Sequence, residues 1–217
     1  VIGDRARHAR AAAVGELAVA YMHGMRDAGM AATAKHFPGH GAVVADSHLS
    51  LPVDRREFAD MEQDLRPYRL LVENGLPAVM VAHVQYPEVD AMPASFSRRW
   101  IQGVLREDLR FRGLVFADDL SMAGAAAVGG IVERAQRALA AGCEVLPVCN
   151  SRPQVIELID GLRIEADPAL HMKLARMRGR PSFDVAALRE STRWQHSSQA
   201  LAEVGAPPEL RLKGASA

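Results

Sequence analysis

The stretch Leu114-Val115-Phe116-Ala117-Asp118-Asp119 places two carboxylates directly after four apolar residues. A second apolar run, Ala78-Val79-Met80-Val81-Ala82, is followed in the same way by His83. A run without alternating polar positions is typical of a strand that is covered on both faces, and such strands occur in parallel sheets. The two runs therefore predict an α/β protein whose parallel strands end in polar side chains.

Helices are predicted on either side of these strands, over residues 5–28 and 131–141, where apolar side chains recur at helical spacing and a glycine follows. Further strands are predicted at 31–35 and 144–149. Repeated strand–helix units with polar residues after the strands are typical of a (β/α)₈ barrel of the TIM type. Four strands are about half of such a barrel, and we expect its C-terminal half, with two open parallel edges.

The pattern changes near residue 165, where the alternation of strands and helices stops. We therefore expect a partial (β/α)₈ barrel with the catalytic region over 1–164, followed by C-terminal helices and a polar tail over 165–217. Local signals predict several helix ends: a capping box at Asp54 and Glu57, Pro67 in a first turn, starts at Ser97, Ser151 and Asp167, and a final helix over about 183–204.

The composition excludes several classes of protein. The 217 residues carry no net charge, so no global field favours nucleic acid or an anionic membrane. No apolar run approaches the roughly 20 residues of a membrane-spanning helix. Cys143 and Cys149 lie too far apart in the predicted strand to form a disulfide, which favours a reducing compartment. The chain opens at Val1 in a segment typical of a loop. We therefore expect further sequence upstream, and any targeting signal would lie in that part.

A second motif, Lys35-His36-Phe37-Pro38-Gly39-His40-Gly41, is followed by Asp46-Ser47-His48. On an extended loop Asp46 can accept a hydrogen bond from His48 and favour its charged form, so this pair can move a proton near neutral pH. The alternative is a surface loop with incidental charges. His36 and His40 have helical metal-ligand spacing, but the proline and glycine between them disfavour a helix.

Asp118 and Asp119 cannot face the same way after a strand, because side chains alternate. We expect one carboxylate to cap the next helix and the other to point into a polar site. Lys35 could bind substrate hydroxyls or extend into solvent, and Arg5 reads as a surface cation. His83 reads more readily as a hydrogen-bonded core histidine than as a catalyst. Phosphate-binding glycine loops and a Gly-x-Ser-x-Gly turn are absent from the sequence.

The motifs Lys35–Gly41 with Asp46-Ser47-His48, and Phe116-Ala117-Asp118-Asp119-Leu120-Ser121-Met122, resemble those of the bacterial β-N-acetylglucosaminidases among the family 3 glycoside hydrolases. The resemblance extends over about residues 1–160. It implies a (β/α)₈ barrel that removes terminal β-N-acetylglucosamine with retention of configuration. One departure is Ala117, where the family usually has serine before the nucleophile.

The resemblance also implies roles for individual residues. Asp118 matches the nucleophile that forms a glycosyl-enzyme, His48 the general acid/base on a mobile loop, and Asp46 its dyad partner. Arg5, Lys35 and His36 match residues that hold the sugar. The positive charges of Arg5 and Lys35 would lower the pKa of Asp118. The substrate would be a muropeptide from peptidoglycan recycling in the cytoplasm, or a chito-oligosaccharide. No cofactor, metal, nucleic acid or membrane is implied.

Two alternatives remain open. Three histidines (His36, His40 and His48) with Asp46 and Asp118 could bind zinc and form a metal-dependent hydrolase. The chain could also be an inactive truncated fragment, or a domain that pairs with another chain through its open sheet edges.

Overall fold

The computed structural model describes residues 6, 8–45, 47, 49–165, 167–180 and 184–205. The chain divides into two compact units, Val1–Gly179 and Arg180–Ala217. In the described part of the chain, no helix is both long and apolar enough to cross a membrane.

A parallel sheet lies at the centre of the first unit. Its strands are β1 (Thr33–Phe37), β2 (Ala78–Val81) and β5 (Leu114–Ala117), in the order β1-β2-β5. Ala78 lies opposite both Thr33 and Leu114, so the three strands start at the same level. The sequence-based α/β class and parallel sheet are therefore confirmed.

The fourth predicted strand, 144–149, is not continuous. The segment forms an isolated parallel bridge between Val145 and Phe116, and the Glu144 N–H donates to the Val115 carbonyl at 2.7 Å. Pro147 has no N–H to donate to a ladder, which explains why regular pairing stops there. The predicted strand was therefore wrong in extent, although the segment does lie beside β5. Cys143 is buried and Cys149 is exposed, and both are free thiols, so neither forms a disulfide.

Helices alternate with the strands, and α1 (Ala11–Asp27) packs on α2 (Glu62–Glu73). A short antiparallel hairpin, β3 (Gln85–Tyr86) and β4 (Asp90–Pro93), follows β2 and was not predicted. The remaining helical elements of the first unit are 3₁₀ turns at Phe58–Met61 and Ala94–Phe96, a π-helix at Arg99–Asp108, α3 (Ala123–Ala126), α4 (Ile131–Ala141), α5 (Arg152–Gly161) and α6 (Pro168–Met177).

The core is organised around Trp100, which has no exposed surface. The centroid of its ring lies 5.0 Å from that of Tyr86, 6.1 Å from that of Phe37 and 5.8 Å from that of Phe58. Rings at such separations and inclined to one another contribute beyond their buried area. This cluster packs β1 and the β3–β4 hairpin against the π-helix, on the side of the polar loop that follows β1.

Several predicted helix ends are confirmed. Gly142 ends α4 with a φ of +116°, a conformation that favours glycine. The Gln154 N–H donates to the Ser151 side chain, and the Ala169 N–H to Asp167, so both residues cap their helices. The Trp100 N–H donates to the Ser97 hydroxyl at the start of the π-helix.

Other predicted ends were wrong. The first helix begins at Ala11 and not at residue 5. Asp54 and Glu57 form no capping box, because the Asp54 carboxylate is occupied by Arg56 and the Glu57 side chain caps nothing. Pro67 lies inside α2, since α2 continues directly from the preceding 3₁₀ turn and starts earlier than predicted.

The second unit contains α7 (Val185–Glu190) and α8 (Thr192–Gly205). The prediction of one continuous helix was wrong, because Ser191 separates the two. Its hydroxyl donates to the Leu188 carbonyl at 2.6 Å and accepts from the Trp194 N–H at 3.2 Å. A serine that bonds backbone groups on both sides favours a break of this kind.

Candidate active site

The polar side chains that follow the parallel strands gather at one edge of the sheet. The Asp118 N–H donates to the Val81 carbonyl at 3.0 Å, and the Ala82 N–H donates to the Phe37 carbonyl at 2.8 Å. Backbone pairing thus continues just past the strand ends. It fixes His36, His83 and Asp118 on neighbouring segments, at the end where α/β barrels carry their chemistry.

Among the described residues, His36 and Asp118 form a close pair of titratable side chains at this edge. Nε2 of His36 lies 3.7 Å from Oδ2 of Asp118, and both side chains are largely buried, at 14% and 12% exposed. The contact depends on an irregularity in β1, where Lys35 pairs with Met80 and Phe37 with the next residue, Val81. His36 is therefore the extra residue of a β-bulge, a device that redirects side chains. The Lys35–His36 peptide is cis.

Lys35 is exposed and, with His36 and His40, borders an open cavity of about 1040 Å³ between α1, β1 and α2. Among the described residues Lys35 makes no ion pair with Asp118, so the expected charge contact between them is not present. Asp118 does not line this cavity. We therefore locate the candidate site by the His36–Asp118 contact and not by the cavity.

Asp118 and Asp119 have different surroundings, as the alternation of side chains predicted. The Asp119 carboxylate accepts from the Ser121 N–H at 2.9 Å, the Ser121 hydroxyl at 2.7 Å and the Cys149 N–H at 3.1 Å. Burial alone would raise the pKa of Asp119, but these hydrogen bonds outweigh it and hold the pKa below its usual range. Asp119 is thus committed to structure, whereas Asp118 accepts the Asp119 N–H at 2.9 Å and faces His36.

His83 lies beneath this pair and is completely buried. Its Nε2 lies 3.1 Å from the Asp119 carbonyl, which only accepts, so Nε2 carries the proton. Nδ1 then accepts from the Ser95 hydroxyl at 2.6 Å. Burial lowers the pKa of His83, opposed in part by the negative charges of Asp118 and Asp119. His83 is therefore a neutral, hydrogen-bonded core histidine, as predicted.

The segment after the histidine motif is held at Ser47. The Gly124 N–H donates to the Ser47 carbonyl at 2.9 Å, and the Ser47 hydroxyl lies 3.4 Å from Nε2 of His40. A Cβ on Gly124 would lie 3.0 Å from that carbonyl oxygen, so the close approach favours glycine. Asp46 and His48, on either side of Ser47 in the sequence, lie outside the described residues, as does Arg5.

Sequence reasoning missed two contributors to this site. Arg134 on α4 is buried and donates to the Leu120 carbonyl at 2.8 Å and to the Gly129 carbonyl at 2.7 Å. It supports the loop that follows Asp119, and an arginine on the apolar face of a predicted helix was the available signal. Ser95, in the 3₁₀ turn Ala94–Phe96, fixes the His83 ring. Ser95 lies within the family resemblance, but no local pattern indicated its contact with His83.

A metal site was the main alternative. Among the residues that the structure describes, no group of three His, Cys, Asp or Glu side chains is arranged to hold a metal ion. The zinc hypothesis also needs Asp46 and His48, whose positions are not described.

Comparison with known proteins identifies the family of this chain. Residues 1–178 match the model for the glycosyl hydrolase family 3 N-terminal domain. The chain belongs to glycosyl hydrolase family 3. The N-terminal domain of this family is a TIM-barrel-like α/β fold, so the predicted barrel type is confirmed and the parallel sheet is part of such a barrel.

Individual family 3 relatives are similar over most of this chain. A β-hexosaminidase of Thiobacillus denitrificans is 53% identical over 208 residues, which cover 94% of this chain and 58% of that protein. NagZ of Neisseria gonorrhoeae, in complex with N-trifluoroacetyl-D-glucosamine, superposes with a TM-score of 0.82 at 40% identity, covering 94% of this chain and 59% of that one. A zinc complex of the same NagZ superposes with a TM-score of 0.81 at 38% identity, covering 94% of this chain and 59% of that one. The chain thus spans about three fifths of the length of these relatives.

Proposed function

We propose that this chain is the catalytic region of a retaining glycosidase that releases terminal β-N-acetylglucosamine, with Asp118 as the nucleophile. The observation that carries the proposal is the division of labour between two adjacent carboxylates. Oδ1 of Asp119 accepts three hydrogen bonds, from the Ser121 N–H and hydroxyl and from the Cys149 N–H, while Oδ2 of Asp118 faces His36 at the strand-end site. The relatives named as a β-hexosaminidase and as NagZ in complex with N-trifluoroacetyl-D-glucosamine support this substrate class.

The reaction proceeds in two displacements. A carboxylate oxygen of Asp118 attacks the anomeric carbon, and the bond to the leaving oxygen breaks as His48 donates a proton to it. This gives a covalent glycosyl ester on Asp118. His48, oriented by Asp46, then removes a proton from water, whose oxygen attacks the same carbon and releases Asp118. Two inversions produce net retention of configuration.

Substrate binding falls to Arg5, Lys35 and His36 in this proposal. Nε2 of His36 lies 3.7 Å from Oδ2 of Asp118, which supports a role for His36 in contacting the sugar beside the nucleophile. The catalytic region is residues 1–164, with C-terminal helices and tail over 165–217. The natural substrate is a muropeptide of cell-wall recycling in the cytoplasm, or a chito-oligosaccharide, as the resemblance of the histidine motif implies. Neither nucleic acid, membrane nor cofactor enters the reaction.

The nucleophile can be tested on the full 217-residue chain with an aryl β-N-acetylglucosaminide. We expect Asp118→Asn to lower kcat by roughly 10⁴- to 10⁶-fold, as loss of a group from a covalent catalytic unit does. The control is Asp108→Asn, at an exposed carboxylate on the π-helix, which should retain wild-type turnover. No turnover by the wild-type chain would refute the activity, and turnover by the Asp118 variant would refute its role.

A metal-dependent hydrolase is the second candidate, and the zinc complex of gonococcal NagZ is the observation that favours it. A chelator separates the two candidates. The glycosidase proposal predicts full turnover after exhaustive chelation, whereas a zinc enzyme would lose activity and regain it with added zinc.

A further inference from the structure

The two ends of the polar loop after β1 are brought together by a hydrogen-bond network. At the N-terminal end, the Tyr86 hydroxyl donates to the Gly39 carbonyl. The Asp64 side chain packs directly on Gly39, since a Cβ there would lie 2.6 Å from Oδ1 of Asp64 and 2.8 Å from its Cβ. Gly39 is therefore fixed between the hairpin and α2.

The C-terminal end of the loop is fixed to the same hairpin. The Gln85 N–H donates to the Pro52 carbonyl at 2.9 Å, and the Asp54 N–H donates to the Gln85 carbonyl at 2.9 Å. Residues 52–54 thus run parallel to β3, next to the tyrosine that holds Gly39. The backbone between these two ends includes Asp46 and His48.

Arg56 connects the two ends through its guanidinium group. Its Nη2 donates to Oδ2 of Asp54 at 2.7 Å and its Nε to Oδ1 at 3.1 Å, while Nη1 donates to Oδ2 of Asp64 at 2.8 Å. The exposed fractions of the three side chains are 31% for Arg56, 5% for Asp54 and 17% for Asp64. Asp54, Arg56 and Asp64 are named the Arg56 network below.

Charge and burial make this network stronger than a surface ion pair. Burial raises the pKa of Asp54, but the hydrogen bonds and charge of Arg56 outweigh it, so the pKa lies below its usual value. Fork-shaped hydrogen bonding to two carboxylates also fixes a distance between them, which a point charge cannot do.

We propose that Arg56 is a positioning residue for the general acid/base. By tying Asp54 to Asp64, which packs on Gly39, it sets the separation of the two ends of the loop whose sequence includes the proposed acid/base His48. The hydrogen bond from Gly124 to Ser47 is a third fixed point on the same loop. This inference rests on the proposed glycosidase function, but its structural part can be tested without catalysis.

The structural test is hydrogen–deuterium exchange on the full chain. Arg56→Lys keeps the charge and removes the fork, and Asp64→Asn keeps the shape and removes one charge. We expect both to speed amide exchange in peptides within 40–53 at least about fivefold, with strand peptides over 114–117 unchanged. The matched control is Arg69→Lys, which alters the exposed Arg69–Glu62 pair on α2, the helix that carries Asp64. This variant should leave amide exchange unchanged in both segments.

The catalytic test compares two leaving groups. Dinitrophenolate is a weak base and departs without a proton, whereas a sugar aglycone needs the general acid. The two substrates are a disaccharide with a terminal β-N-acetylglucosamine and dinitrophenyl β-N-acetylglucosaminide. We expect Arg56→Lys to lower kcat/KM at least about tenfold more for the disaccharide than for the dinitrophenyl glycoside. Equal losses would overturn the positioning role, as would exchange that is unchanged in the loop or raised equally in the strands. A wild-type chain without turnover would refute the proposed function and would overturn the catalytic part of this inference. The exchange data would still test whether Arg56 fixes the loop ends.

Discussion

Acidification should destabilise this protein through His83 before its carboxylates titrate. The ring is completely buried and has both nitrogens engaged, Nε2–H with the Asp119 carbonyl and Nδ1 with the Ser95 hydroxyl. Protonation at Nδ1 would place a cation in the core and turn an acceptor into a donor. Burial therefore keeps the pKa of His83 below 6.5, its value in the unfolded chain.

The sign and size follow from proton linkage. Below pH 6.5 the unfolded chain binds a proton at His83 that the folded chain does not, so stability falls as the pH falls. The slope approaches about 1.4 kcal/mol per pH unit, which gives up to about 2 kcal/mol between pH 6.5 and 5. Asp54 and Asp119 have lowered pKa values, so their stabilisation is lost only as the pH falls below about 3.8, outside this window.

Urea unfolding between pH 5 and 8 measures this slope. We expect wild type and a His171→Gln control, at an exposed histidine on α6, to lose stability together as the pH falls. His83→Gln should be less stable at pH 8, because its packing differs, but should show a smaller slope between pH 6.5 and 5. An identical slope in wild type and His83→Gln would refute the reasoning.

Two further substitutions test the packing. Trp100→Ala removes the centre of the buried aromatic cluster and should lower the free energy of unfolding by about 3–5 kcal/mol. A loss below 1 kcal/mol in urea unfolding would contradict that packing. Gly142→Ala puts a Cβ 3.0 Å from Cγ2 of Ile101 at a φ of +116°, and should cost about 1–3 kcal/mol. An unchanged urea midpoint would show that α4 does not need this glycine.

The sequence predicted best where one signal was strong and local. The apolar run of β5 and the helix α4 with its terminal Gly142 appear with the predicted limits. The hairpin β3–β4 was missed because Gln85–Tyr86 is too short to show a period. The apolar content of residues 144–149 predicts a strand, but Pro147 has no N–H to donate to a ladder.

At the site, side-chain alternation predicted that Asp118 and Asp119 have different surroundings, whereas the assignment of Asp118 as nucleophile came from the family resemblance. The contact of His36 with Asp118 was not predictable, because it depends on a bulge in β1. The Arg56 network was missed for a related reason. Asp54 lies at the end of the loop and Asp64 lies on α2, so no helix or strand period indicates that both carboxylates meet at the Arg56 guanidinium.

Covalent trapping tests the central claim most directly. A 5-fluoro analogue of N-acetylglucosamine with an activated leaving group should form a glycosyl-enzyme that hydrolyses slowly, because fluorine destabilises the oxocarbenium-like transition state. Peptide mass spectrometry should then locate one sugar on Asp118. A sugar on Asp119 or another residue, or turnover of the analogue without any adduct, would contradict the account.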